Sequence, residues 1–260
     1  MGIFRGLTPD SICHDPFPHV VIENALDLTL CSELIDSLDN AGPIFDFSKS
    51  APGIKSHIKS RDVLGIELIP HAWKALVKEH IDPLQLKELI AAFTPAIRQL
   101  YPFLEHQHGN IEKWTIGQRY VHSAQDFTLL VDAQLSQHAP SPNAFIQERG
   151  PHIKMTNKLL ICQYLLRLKD DADEGGQYEF FSSRGRNLEF SRDQQIAASS
   201  LAELEVKKSV EYAANTAIVF LNSPFSIQAF TKRKTSYPTV YMNLILECAK
   251  PLFSLPSPRA

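Results

Sequence analysis

The chain has 260 residues, 44% of them hydrophobic and 21% charged, with a formal charge of -3. That length suits one large β-rich domain or two small ones, and the composition is that of a folded globular protein, which argues against a disordered or fibrous chain. The charge balance leaves no basic surplus to follow a phosphate backbone, so no nucleic-acid partner is expected, and no run approaches the roughly 20 apolar residues that span a membrane.

The opening segment MGIFRGLTPDS has too short an apolar run for a secretory signal. Gly6 stands where a myristoylation signal requires Ser or Thr, so a cytoplasmic location is the expectation. HDPFPHVVIENAL then reads as a strand reached through an extended, proline-rich arm. Asp27 is a good N-cap for a helix whose apolar positions Leu30, Leu34, Ile35 and Leu38 recur at helical spacing. That helix should stop at Asn40-Ala41-Gly42-Pro43.

Residues 43–70 show no sustained period and predict a long excursion with short elements at most. A second helical region follows over roughly 71–100, where Leu84, Leu86, Leu89, Ile90, Phe93 and Ile97 form a broad apolar face. Pro83 suits its start, and Pro95 should end or kink it.

From about residue 111 the pattern changes to short β-like runs, among them WTIGQRYV, DFTLLVDAQL, KLLICQYLLRL, GGQYEFF and TAIVFLN. Such spacing predicts a sandwich or barrel. The insertion SRDQQIAASSLAELEVKK is expected to be partly helical before the chain returns as EVKKSVEYAA, and the tail PLFSLPSPRA is too proline-rich for a regular element.

Several groups have both a chemical and a structural reading. Cys13, Cys31, Cys162 and Cys248 are far apart and read as buried free thiols. His106 and His108 in EHQHGN form a His-x-His pair, which on a strand would put both rings on one face, but the surrounding residues resemble a solvent loop. The basic clusters SSRGRN and TKRKTS read as solvated turns, and Gly175-Gly176 as a turn needing positive φ. No phosphate-binding loop, dinucleotide fingerprint or serine elbow is present.

The stretch RGPHIKMTNKLLICQYLLRLKDDADEGGQYEFF, residues 149–181, resembles the core of the 2-oxoglutarate/Fe(II)-dependent oxygenases, particularly bacterial prolyl-hydroxylase-like members. NTAIVFLNSPFSIQAFTKRKTSYPTVYMNLILE resembles the closing strands of the same family. The resemblance implies a mainly β protein with flanking helices and a double-stranded β-helix (jelly-roll, cupin-like) core. It implies a single domain, with residues 1–110 as a strand and helical support region and 111–250 as the core.

In that family two His and one carboxylate hold iron on one side, leaving three positions for 2-oxoglutarate and oxygen. A guanidinium then pairs with the distal carboxylate of 2-oxoglutarate through two parallel hydrogen bonds. Carried onto this chain, His152 occupies the first ligand position, but Lys154 stands where the carboxylate belongs and Gln228 where the second His belongs. Thr239 falls at the position of the co-substrate Arg.

The expected metal set is therefore reduced to His152, with no cofactor expected and with Fe(II) and 2-oxoglutarate required only if the resemblance extends to activity. Three functions remain open. One is a non-catalytic binding or assembly module for an unknown small molecule or protein. Another is metal-free acid/base chemistry of isomerase, cyclase or lyase type, with His152 and Lys154 as catalytic residues. The last is an oxygenase with unusual ligands.

Overall fold

The computed structural model describes residues 2–38, 55–146, 150–185, 188–191 and 193–255. After an N-terminal arm come β1 (His19–Glu23), α1 (Leu28–Leu38), β2 (Lys55–Ile58), α2 (Ser60–Gly65), α3 (His71–His80), α4 (Pro83–Leu100) and α5 (Phe103–His108). Strands dominate from there: β3 (Ile116–Gln118), β4 (Leu129–His138), β5 (Ser141–Ile146), β6 (Lys158–Leu166) and β7 (Tyr178–Ser183). The last are β8 (Leu204–Val210), β9 (Thr216–Leu221), β10 (Ile227–Phe230), β11 (Arg233–Thr235) and β12 (Thr239–Glu247).

A large sheet runs β1-β9-β6-β12-β4-β2, with β3 added in parallel beside β4, and a smaller sheet runs β10-β7-β8. His152 pairs with Gln228 as an isolated bridge and so extends the small sheet beyond β10. The chain therefore crosses between two facing sheets as a double-stranded β-helix.

Because successive side chains on a strand point to opposite faces, each long strand supplies both sides of the large sheet. One side presents Val131, Leu135, Cys162, Val219, Met242 and Leu244 to α3 and α4, where they share a core with Trp73, Leu76, Phe93 and Ile97. The other side presents Ile161, Leu165, Ile218, Phe220 and Tyr241 to Tyr178, Phe180, Val210 and Phe230 of the small sheet.

The helices follow their sequence signals with three exceptions. Asp27 accepts from Thr29 N at 2.9 Å, as an N-cap should, whereas the expected stop at residues 40–43 lies outside the described residues. Asp82 Oδ1 accepts from Leu84 N at 2.7 Å and Pro83 opens α4. Leu84 departs from the expected apolar face and is 72% exposed. Pro95 does not end the helix, which continues to Leu100; burial of Phe93, Ala96 and Ile97 on both sides of it outweighs the lost backbone bond. His106 and His108 lie on the helix α5 rather than on a strand, so two-residue spacing no longer places them on one face.

Cys31, Cys162 and Cys248 are buried free thiols, but Cys13 is exposed. The predicted insertion helix is reduced to a 3-10 segment over Ala198–Glu203 before β8. No helix among the described residues is long and apolar enough to cross a membrane.

Candidate functional site

The sequence-derived ligand positions come together between the two sheets. His152 and Gln228 exchange both backbone hydrogen bonds, His152 N to Gln228 O at 3.0 Å and Gln228 N to His152 O at 2.9 Å. Their side chains are therefore neighbours on one face of the small sheet. Phe230, two residues after Gln228, packs in the inter-sheet core, so Gln228 points inward as well.

The Asn-Ser-Pro turn that precedes β10 explains this register. Asn222 Nδ2 donates to Met155 O at 3.0 Å and to Lys158 O at 2.9 Å, tying the segment after His152 to the end of β9. The quoted motif thus positions the site without supplying chemistry to it.

His152 Nδ1 lies 2.8 Å from the Gly150 carbonyl. A carbonyl only accepts, so the proton sits on Nδ1 and Nε2 is the basic atom of the neutral ring. Gln228 Nε2 donates to His152 O at 3.3 Å, which leaves its Oε1 as an acceptor with no hydrogen-bond partner among the described residues. Lys154 is half-buried.

These donors do not fit iron. One imidazole, one amide and one ammonium replace two imidazoles and a carboxylate, and an amide oxygen is a poor ligand for Fe(II). No group of three or more His, Cys, Asp or Glu among the described residues could hold a metal.

Beside Thr239 the sequence reading missed a residue. Thr239, at the start of β12, accepts from Arg233 Nη1 at 3.0 Å. Arg233 belongs to TKRKTS, the segment expected to be a solvated turn, yet it is only 4% exposed. The cation arrives from β11 instead of β12, and its signal in the sequence was hidden among exposed neighbours in the same basic run.

Arg233 is already engaged. Its Nη2 bonds to both carboxylate oxygens of Asp171, and its guanidinium carbon lies 4.6 Å from the centre of the Tyr212 ring. Arg167 completes the clamp, donating to the carbonyls of Asp171 at 2.8 Å, Tyr212 at 2.9 Å and Asp173 at 2.6 Å. Asp173 is held below the ordinary carboxylate range, first by the Thr235 hydroxyl and then by the Ser236 amide. Gly175, at φ 90°, comes so close to the Lys232 carbonyl that a Cβ there would overlap it, which brings the acidic turn against β11.

Beside this clamp, His138, Phe230, Arg233, Thr239 and Tyr241 border a cavity of about 40 Å³. At about 10–15 Å³ of such volume per water, that is room for a few water molecules. Asp171 thus neutralises Arg233 through one guanidinium nitrogen, and a cavity of this size does not fit 2-oxoglutarate.

Beyond the cavity the inner face of the large sheet becomes polar. Gln134, Asn243 and Gln163 lie side by side on β4, β12 and β6, between the levels of Tyr241 and Ile245. Gln163 Oε1, Asn243 Oδ1 and Ser136 Oγ are buried with no hydrogen-bond partner among the described residues. An unpartnered buried polar group costs about 1–3 kcal/mol, so several of them on one face is a marked departure from ordinary core design. Farther along, Asp132 is saturated by Ser60 N, Ser60 Oγ and Gln134 Nε2. Glu247, pushed upward first by burial, is paired with Arg119 at 3.0 Å.

No family model and no curated protein matches the sequence. Solved structures do. A prolyl 4-hydroxylase from Phytophthora capsici aligns over 95% of this chain with a TM-score of 0.53 and 14% identity, and the chain spans only 65% of that protein's length. A Pseudomonas putida prolyl-4-hydroxylase aligns over 89% of this chain and 93% of its own, with a TM-score of 0.43 and 12% identity. A Trichoplax adhaerens prolyl hydroxylase, solved with a hypoxia-inducible factor peptide fragment, aligns over 94% and 90%, with a TM-score of 0.46 and 10% identity.

Strand order and the likeness to the Phytophthora capsici structure define the fold as the double-stranded β-helix. Within it, this chain is a prolyl-hydroxylase-like fold whose site residues are its own.

Proposed function

We propose that the protein is an oxygenase-like scaffold that has lost iron-dependent hydroxylation and serves as a non-catalytic binding or assembly module. The observation that carries this reading is the His152–Gln228 pair: the two positions are adjacent, as a metal site would require, but the second is an amide tied to the His152 carbonyl. The Arg233–Asp171 pair supports it, since the guanidinium beside the cavity is already neutralised by an internal carboxylate.

Anaerobic calorimetry of metal-free protein with Fe(II) and 2-oxoglutarate, separately and together, tests the reading. The natural protein should take up neither, and a Lys154→Asp/Gln228→His double variant should regain measurable iron binding. Stoichiometric, tight iron binding by the natural protein would overturn it.

A further inference from the structure

We infer that the hollow between α5 and the segment following β12 binds an apolar monocarboxylate of about ten heavy atoms, its carbon chain on the buried floor and its carboxylate at Lys250. The floor residues Leu104, Cys248 and Leu252 belong to the helix-covered core. The site therefore lies outside the space between the sheets, and the inference is independent of whether the protein takes up iron.

Size comes first. The hollow measures about 340 Å³, inside the range of roughly 300–1,000 Å³ found for small-molecule sites. At about 30 Å³ for each water-sized group in a liquid, that volume accommodates about ten heavy atoms. Two larger hollows among the described residues, of about 730 and 720 Å³, are lined by charges of both signs and so select no ligand charge.

Both walls are fixed before any ligand arrives. Phe103 and Gln107, like Leu104 and His108, stand four residues apart and so share one face of α5, which forms the first wall. Arg98 holds that helix by donating to both carboxylate oxygens of Glu105 at 3.0 Å. The second wall is the segment from Cys248 to Leu252, whose end amides donate to Asn157 O and Thr156 O at 2.8 Å each. Tyr101 and Phe253 stack with ring centres 6.5 Å apart and join the two walls. A preformed hollow spares a ligand the cost of ordering its site.

Polarity then selects the ligand. Leu104, Cys248 and Leu252 are buried and make the floor apolar. Burial, the larger cause, pushes the Cys248 thiol up to about 12, so the floor carries no charge at neutral pH. Gln107, His108 and Lys250 are exposed and form the rim, where Trp114 packs edge-on against the His108 ring at 6.4 Å. No Asp, Glu or Arg lines the hollow, and Lys250 forms no ion pair among the described residues. An uncharged floor beneath an unpaired ammonium, with hydrogen-bonding groups beside it, is complementary to a carbon chain that ends in one carboxylate.

The test is NMR titration of the full chain with octanoate and hydrocinnamate, and with octanol as the uncharged probe. At least one carboxylate should saturate the natural protein. Lys250→Ala should weaken that carboxylate by about fivefold, the upper end for an exposed ion pair, and leave octanol unchanged. Gln107→Trp fills the hollow from an exposed position and should abolish saturation by the carboxylate. Circular dichroism checks that both variants are folded.

Absence of saturation by both carboxylates overturns the inference. So does unchanged carboxylate affinity in either variant, or an equal loss for octanol in Lys250→Ala. None of these outcomes bears on the iron and 2-oxoglutarate calorimetry, and iron binding there would leave this titration unaltered.

Discussion

On its helix-covered face the large sheet is apolar except for Gln137 near the end of β4, whereas the face turned toward the small sheet changes from aromatic at one end to carboxamide and charge at the other. Both faces come from alternate residues of the same strands, as with Met242 outward and Asn243 inward. The outer face must seal against helices, and only close apolar packing does so. Scaffold strength located there leaves the inner face free to carry groups that cost stability.

The difference can be broken most severely at the charged clamp. Asp171→Ala strands the buried Arg233 guanidinium and should destabilise by about 3–5 kcal/mol in urea unfolding. The paired change Asp171→Leu/Arg233→Leu should cost much less than that single variant, because no charge is left uncompensated. On the outer face, Met242→Ala removes a fully buried side chain and should cost about 2–5 kcal/mol. Inward at the next residue, Asn243→Ala should stay within about 1 kcal/mol by the same melt, since an unpartnered acceptor is removed with little apolar packing.

Acidification sharpens the comparison, because a fully buried histidine packs on each side of the sheet. His80 donates from Nδ1 to Leu76 O at 2.7 Å and accepts from Ile3 N at 3.1 Å. His19 donates to Phe17 O at 2.8 Å and accepts from Lys208 Nζ at 3.2 Å. Burial, the largest cause in each case, pulls both below the ordinary histidine value of 6.5. The unfolded chain then holds more protons below that value. Stability should therefore be constant above about pH 6.5 and fall below it by up to about 1.4 kcal/mol per pH unit for each group until its folded value is reached.

Urea midpoints measured between pH 7.5 and 5.5 check the sign, and His80→Gln should flatten part of the slope. At the small end, Lys169→Ala removes an exposed pair with Asp36 and should leave the melting temperature unchanged.

Much of the fold was legible because its signals are local. Asp27 and Asp82 cap helices as their chemistry predicts, and the apolar runs of β4, β6 and β9 are strands. The ordered segments around His152 and Gln228 gave the barrel by resemblance. Elsewhere local signals left a choice that the structure made: Pro95 stays inside α4, and His-x-His falls on a short helix instead of a loop.

The site was legible only along the chain. By resemblance, sequence order pointed to His152, Lys154, Gln228 and Thr239, and the structure pairs His152 with Gln228. Arg233 could not be assigned, because exposure of a basic run is settled by contacts 62 residues away at Asp171. The carboxamide row was equally invisible, since Gln134, Asn243 and Gln163 are brought side by side by register.

By itself, then, the sequence determined much of the strand and helix pattern and the barrel class, both of which depend on residue type and short spacing. The tertiary structure alone decided which cation is buried, which carboxylate neutralises it and which amides share a face. Those properties depend on hydrogen-bond register and on exclusion of water, and neither exists until distant strands have paired.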